Sequence, residues 1–215
     1  MKKVKLLIIL LIALISFSCD QDKETEVPEP KGIFFRGTID GHKRTIADGV
    51  NGYVVKYHDT CYVIDSFNYY EPFMILSQES QNYYVSSKEA ISFTFKDLFL
   101  FHDSITNKDS MLGAYLYNHK LIPIYSNASS NGSLIMGGLD IMWRDAEGRE
   151  WFTGLGAQNS IATIDTLVIV RKPGMISEYN MYITFDCKLY TLGASISKEI
   201  KDAHARISIK NTCFY

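Results

Sequence analysis

Metal-ligand spacing is missing from this chain of 215 residues. Its five histidines, His42, His58, His102, His119 and His204, form no H-x-H or H-E-x-x-H grouping. Its four cysteines, Cys19, Cys61, Cys187 and Cys213, contain no C-x-x-C pair. Zinc-ribbon and thioredoxin-type sites are therefore not expected. No G-x-S-x-G elbow occurs, so the usual esterase nucleophile is absent. The glycines of GLGAQNS are followed by no helical pattern, and without a helix N-terminus they make a poor phosphate cradle. DAEGR resembles a calcium loop only in its first residues, because Arg149 stands where another oxygen ligand is needed. Basic blocks are also lacking. Lys and Arg number 22 against 24 Asp and Glu, and no stripe of one sign emerges, so nucleic acid is not an expected partner. No cofactor is expected.

One long apolar run stands out, at the start. Lys2, Lys3 and Lys5 precede an apolar stretch from Leu6 to Ile15. Ten residues of helix reach roughly 15 Å, about half of a bilayer core. The pattern is that of a secretory signal rather than an anchor helix. Ser16-Phe17-Ser18-Cys19 closes it and resembles a bacterial lipobox, in which the cysteine thiol takes a diacylglycerol and the chain is cut just before it. Residues 1–18 are then the signal peptide and Cys19 the lipidation site. Residues 19–32, DQDKETEVPEPKG in the main, are acidic, carry two prolines and lack aromatics. Such a segment cannot bury enough apolar surface to fold and reads as a tether. Loss of Lys2, Lys3 and Lys5 leaves 19 basic against 24 acidic residues, a formal charge of −5.

Residues 33–215 then form one domain, a length that supports a real core. Helical periods are scarce and period-two patterns dominate. In ISFTFKDLFLF, Ile91, Phe93, Phe95, Phe99 and Phe101 share a face. In MYITFDCKLYT, Met181, Ile183, Phe185, Cys187 and Leu189 do so, and in ARISIKNTCFY Ala205, Ile207, Ile209 and Cys213. TLVIVRK is a continuous apolar run that suits a strand buried on both faces. Further strands are expected at 33–39, 53–57, 61–67, 72–77, 114–118, 121–125 and 133–143. The one expected helical turn is SKEIKDAH, 197–204. Short strands at close spacing predict an all-β fold, an antiparallel β-sandwich or, alternatively, a closed or partly open barrel. Cys61, Cys187 and Cys213 fall in apolar patterns, where a cysteine is by default a small buried hydrophobe. An oxidising compartment also admits a Cys187–Cys213 bridge, which spacing alone does not decide.

Two turns can be read in detail. Asp40-Gly41 has the composition of a two-residue type I′ hairpin. IMWRDAEGREWF is better served by a three-residue loop, Ala146-Glu147-Gly148, with Gly148 left-handed. That loop sets Asp145 against Arg149, Arg144 against Glu150, Trp143 against Trp151 and Met142 against Phe152. A two-residue loop would oppose Arg144 and Arg149, a like-charge cost.

GIFFRGTIDGHK, DAEGREWFTGLGAQNS and ISIKNTCFY together resemble uncharacterised lipoproteins of Bacteroidetes. Those chains open with an "idG-K" hairpin, carry a later D-x-x-G-x-x-W hairpin (here Asp145, Gly148 and Trp151) and end on a short strand. The resemblance implies a β-rich surface or periplasmic domain with no known reaction, and Phe17 and the acidic tether fit it. It also implies an outer-membrane address facing the exterior, or alternatively the periplasmic face. Asp103-Ser104-Ile105, Asp109-Ser110-Met111 and Asp165-Thr166-Leu167 fit the loose O-glycosylation pattern of secreted proteins of that group.

Aromatic residues are plentiful, with 14 Tyr, 12 Phe and 2 Trp. FNYYEP and QNYYVS place Tyr69, Tyr70, Tyr83 and Tyr84 near expected loops or strand ends. Adjacent strand residues point to opposite faces, so one of each pair is a candidate for stacking on a sugar, the alternative being an edge-strand tyrosine with its ring buried and its hydroxyl wet. Binding loops are expected at 68–72, 80–86 and 102–112. Trp143 and Trp151 share a face with Ile135, Leu139 and Ile141 and are expected in the core. The function this predicts is a lipid-anchored envelope protein with a non-enzymatic binding or structural role, toward a glycan or another envelope protein. The alternative is a lipid-anchored, glycan-directed hydrolase with carboxylates drawn from separate strands.

Overall fold

The alternating patterns assemble as strands. The computed structural model describes residues 30–64, 67–78, 88–96, 98–101, 108–126, 137–170, 178–193 and 196–210. Lys31–Tyr215 is one compact unit. In chain order come β1 (Phe34–Ile39), β2 (His42–Ala47), β3 (Tyr53–Ile64), β4 (Phe67–Gln78), β5 (Ala90–Lys96) and β6 (Leu98–Phe101). Helix α1 (Lys108–Asn118) and β7 (Leu121–Pro123) follow, then β8 (Gly138–Arg144), β9 (Glu150–Phe152) and a 3₁₀ turn, Thr153–Leu155. The chain returns through β10 (Ile161–Val170), β11 (Glu178–Tyr190) and β12 (Ser197–Lys210). The fold is all-β, as expected, and of the expected architectures it takes the partly open barrel. One antiparallel sheet runs β2-β1-β12-β11-β9-β8-β5-β4-β3 and curls into a half-barrel. β10 joins β11 and β7, and β6 joins β4.

The turns obey local chemistry. Asp40 and Gly41 both have positive φ, 52° and 79°, the signature of a type I′ turn, and Ile39 pairs His42 across it. Pro72 sits inside β4, where a missing N–H should break a ladder. It does so harmlessly. β5 pairs Phe73–Ser77 and β6 pairs Phe67–Tyr70, so Glu71 and Pro72 fall in the gap between those two neighbours. That gap also explains why ISFTFKDLFLF, read as one strand, is two.

Inward residues fill the curl. Phe35 and Phe93 each pack on Phe185, with ring centroids 6.4 and 6.2 Å apart. Around them lie Met74, Leu76, Ile91, Ile141, Ile183, Ala205 and Ile207, all buried. At roughly 1.5–3 kcal/mol per large apolar side chain, this burial is the main favourable contribution to folding. Where β4 meets the end of β12, closure depends on side chains. The Tyr70 hydroxyl donates to the Lys210 carbonyl at 3.0 Å, and the Ser208 N–H lies 3.4 Å from Met74 Sδ.

Four expectations fail, each for a physical reason. Residues 114–118 are helix, because Leu112 and Leu116 are buried four residues apart on one face of α1. Residues 197–204 are strand. A bulge at Lys201-Asp202 inserts one residue, so buried Ile200 and Ala203 lie three apart and mimic a helical period. Asp202 takes a left-handed φ of 51° there, and its N–H donates to Asp186 Oδ1 at 2.7 Å. TLVIVRK is not buried on both faces, since Thr166 and Val168 of β10 are exposed. The default of a small buried hydrophobe holds for Cys187, so the alternative Cys187–Cys213 bridge does not form, but that default fails for Cys61. Cys187 is a free thiol inside the core, and its pKa is pushed up by that burial. Cys61, exposed on β3, is the disulfide-bonded cysteine. Cys19 and Cys213 lie outside the described residues.

Candidate functional site

Polar groups converge around the β8–β9 hairpin, and the hairpin itself comes from its sequence. Met142 pairs Phe152, Trp143 pairs Trp151 and Arg144 pairs Glu150, the register expected of a three-residue loop. Gly148 has φ 82°, a conformation that a β-branched residue fits badly. Asp145 is 3 % exposed and holds the turn from within. Its Oδ1 accepts from the Glu147 and Arg149 main-chain N–H groups at 3.1 and 2.8 Å. Its Oδ2 accepts from Arg149 Nε at 2.8 Å and the Trp151 indole at 3.1 Å. Burial by itself would raise the Asp145 pKa. The hydrogen bonds from the Arg149 main chain, Trp151 and the Arg149 guanidinium outweigh it and hold the carboxyl below the usual range. The three residues of D-x-x-G-x-x-W thus have structural tasks: acceptor, left-handed hinge and buried donor.

Side chains from three other strands and two connecting segments meet this hairpin. Lys198 of β12 lies over both indoles, its Nζ 5.4 Å from the Trp143 centroid and 4.8 Å from that of Trp151. The same ammonium donates to Asp40 Oδ2 at 2.8 Å, and this contact lowers the pKa of the exposed Asp40 carboxyl. Glu89, just before β5, accepts from Trp143 Nε1 at 3.2 Å and from the Tyr53 hydroxyl at 2.9 Å. Arg44 Nε lies 3.5 Å from the same carboxylate. Burial, followed by the hydrogen bond to Glu89, pushes the Tyr53 phenol up. Cations, carboxylates and indoles here bind one another. What the arrangement supplies is a fastened rim with a cation seated on two buried indoles.

The neighbouring GLGAQNS segment is also structural. A Cβ on Gly156 would stand 2.5 Å from the Tyr190 ring, and one on Gly154 would stand 3.0 Å from the Tyr125 ring. Glycine is required because two rings press on bare backbone. The Tyr190 hydroxyl then donates to the Ala157 carbonyl at 2.8 Å. Gln158 Nε2 donates to the Thr153 carbonyl at 2.9 Å, and Gln158 Oε1 accepts from the Lys188 N–H at 3.1 Å.

The expected tyrosine site does not assemble as a loop. Tyr69 and Tyr70 lie within β4 and are 7 % and 0 % exposed. They cannot stack on a sugar, because register with β3 and the core holds both rings inside. Tyr83, Tyr84 and Cys19 lie outside the described residues, as does loop 80–86. Of 102–112, residues 108–112 belong to α1 and the remainder is outside. His42, His58, His119 and His204 are exposed and dispersed, and His102 is outside. Thr166 is exposed on β10, Ser110 is in α1 and Ser104 is outside. Trp143 and Trp151 are buried, as expected of core residues. Glu89, Lys198, Tyr53 and Arg44 were not anticipated. They come from separate elements, so no local spacing announces them.

Among the described residues, no group of three or more His, Cys, Asp or Glu could hold a metal ion. The seam lined by Pro72, Met74, Phe93, Phe95, Ile207 and Ile209 has no room for a water molecule. Among the described residues no helix is long and apolar enough to cross a membrane. No family model, no curated protein and no solved structure matches the chain.

Proposed function

We propose that this chain is a lipid-anchored protein of the cell envelope with a non-enzymatic binding or structural role. The observation that carries the reading is the order of the first 30 residues: basic start, ten apolar residues, Cys19, then an acidic, proline-containing tether. Two or more acyl chains at Cys19 make a stable anchor, at about 0.8 kcal/mol per buried methylene. The tether sets the domain away from the bilayer, and the direction proposed is outward from the outer membrane. A glycan or another envelope protein is the proposed partner class. Replacing Cys19 by Ala tests the anchor: lipid labelling and membrane fractionation should both lose the protein. A Cys19→Ala chain that stays labelled and membrane-bound overturns the assignment. Turnover of a chromogenic glycoside or ester panel would overturn the non-enzymatic part.

A further inference from the structure

Among the described residues, strand β10 leaves one edge of the sheet open. One side pairs with β11 as far as Val170. On the other, β7 covers only Ile161–Thr163, and the Ile164 N–H is taken by the Lys120 carbonyl at 2.7 Å. Among the described residues, no strand pairs with that side from Asp165 to Val170. Unpaired edges invite another strand, and proteins normally guard them with charge. The edge strands β2 and β3 carry such guards, Lys43 and Arg44 in one and Lys56 and His58 in the other. Thr166-Leu167-Val168-Ile169-Val170 carries none. Apolar side chains are exposed along this strand and on the elements before it. Val168 is 48 % exposed and Ile161 53 %, with Leu121 of β7 and Tyr117 of α1 at 63 % and 68 %.

The free edge has a centre. The ladder to β11 shifts at Asp165 and runs regularly from Thr166 to Val170, five residues with Val168 in the middle. An antiparallel strand of the same sequence sets Val168 against Val168, Leu167 against Ile169 and Thr166 against Val170. This apolar segment is preceded by the carboxylate of Asp165. Antiparallel self-pairing about Val168 therefore sets the two Asp165 carboxylates at opposite ends, whereas parallel pairing in register would bring them side by side. We propose that β10 is a dimerisation edge, pairing antiparallel with β10 of a second copy of this chain, with Val168 on the two-fold axis. Such an interface is isologous and closes on itself, so it yields pairs rather than fibres. It is independent of the lipid anchor.

Because Val168 faces its own copy, charge at this position gives a register-specific test. The full chain is purified in mild detergent and its protein mass followed by light scattering across a dilution series, with circular dichroism as the check on folding. The unaltered chain should show twice the single-chain mass and dissociate on dilution. Val168→Lys and Val168→Glu, each alone, should weaken association by about tenfold or more, since like charges then meet on the axis. An equal mixture of the two variants should recover the double mass, which neither could do if it had failed to fold. A single-chain mass for the unaltered protein at every concentration overturns the proposal. So does a dimer indifferent to Val168→Lys, or a mixture that fails to recover.

Discussion

The β8–β9 hairpin and the β4–β12 seam hold the same sheet by opposite means. The hairpin settles within about ten residues: a carboxylate takes four donors, a glycine turns left-handed and two indoles meet across the strands. The seam joins residues 140 and 134 positions apart, Tyr70 to Lys210 and Met74 to Ser208. Local bonds form at small entropic cost, whereas distant ones must first close a long loop. The hairpin should therefore hold itself in shape, while the seam depends on everything folded around it. Covalent help is expected on the seam's side, and Cys61, which pairs in register with Tyr70, is disulfide-bonded.

The largest effect should come from removing that bond. Cys61→Ser is expected to cost about 2–4 kcal/mol, the usual range for a native disulfide. Denaturant unfolding of the variant against the unaltered chain measures it. The bond to Lys210 brings the end of β12 to Tyr70, and three further residues reach about 10 Å. Peptide mapping under non-reducing conditions should accordingly recover Cys61 joined to Cys213. Recovery of Cys61 joined to Cys19 would refute this and would also remove Cys19 as the lipid acceptor. A cost below about 1 kcal/mol would mean that the seam needs no covalent support.

Next is the hairpin's own centre. Asp145→Ala should destabilise by about 2–3 kcal/mol, because it strands a buried indole N–H and two turn N–H groups. The pH dependence follows from the same carboxylate. Its folded pKa lies below the unfolded value of about 3.9, so the folded state binds its proton less readily. The stabilisation is therefore complete above the unfolded pKa and is lost as pH falls through the folded one. Asp145→Asn should remove this increment, leaving a shallower acid limb in a stability-against-pH curve. An acid limb of unchanged slope would show that other carboxylates govern it. Gly148→Val should cost less, about 1–2 kcal/mol, through strain at positive φ. A full-length variant with unaltered midpoint would contradict the left-handed turn.

This difference in range also decides what could be read from the sequence. The Asp40-Gly41 turn and the whole β8–β9 register were legible, because the choice of loop length left only one arrangement with opposite charges paired. Apolar alternation gave the all-β class and most strands. Position 201–202 was not legible: one bulge residue shifts the apolar spacing from two to three, and β12 then looks helical. At Leu112 and Leu116 the spacing of four was present, but the apolar residues 114–118 suggested a strand. The rim around Trp143 and Trp151 was legible only in part. The indoles were placed in the core from their shared face, but Lys198 sits over them only because β12 is a strand with Lys198 and Ile200 on one side. Tyr69 and Tyr70 were misplaced because 68–72 was expected as a loop between strands 61–67 and 72–77, whereas β4 runs unbroken through it, with Pro72 accommodated by a gap between two neighbouring strands that no local pattern displays.

The smallest expected effect separates the seam's polar contact from its packing. Tyr70→Phe keeps a ring that is fully buried and removes only the hydroxyl that donates to the Lys210 carbonyl. A net hydrogen bond is worth about 1 kcal/mol, and a carbonyl that loses its donor pays toward the upper end of about 0.5–1.5 kcal/mol. The midpoint of denaturant unfolding should fall by that amount while its slope stays unchanged, since the buried surface is the same. Combining Tyr70→Phe with Cys61→Ser then asks whether the two fastenings act together. If both hold β4 to the end of β12, the hydroxyl contributes less once the disulfide is gone, because the segment bearing Lys210 is no longer held in place. The combined loss should be smaller than the sum of the separate losses by about 0.5 kcal/mol or more. A strictly additive pair would show that the disulfide and the Tyr70 bond hold different parts of the fold. The same Tyr70→Phe change combined with Asp145→Ala should be additive, since the hairpin and the seam share no partner among these contacts.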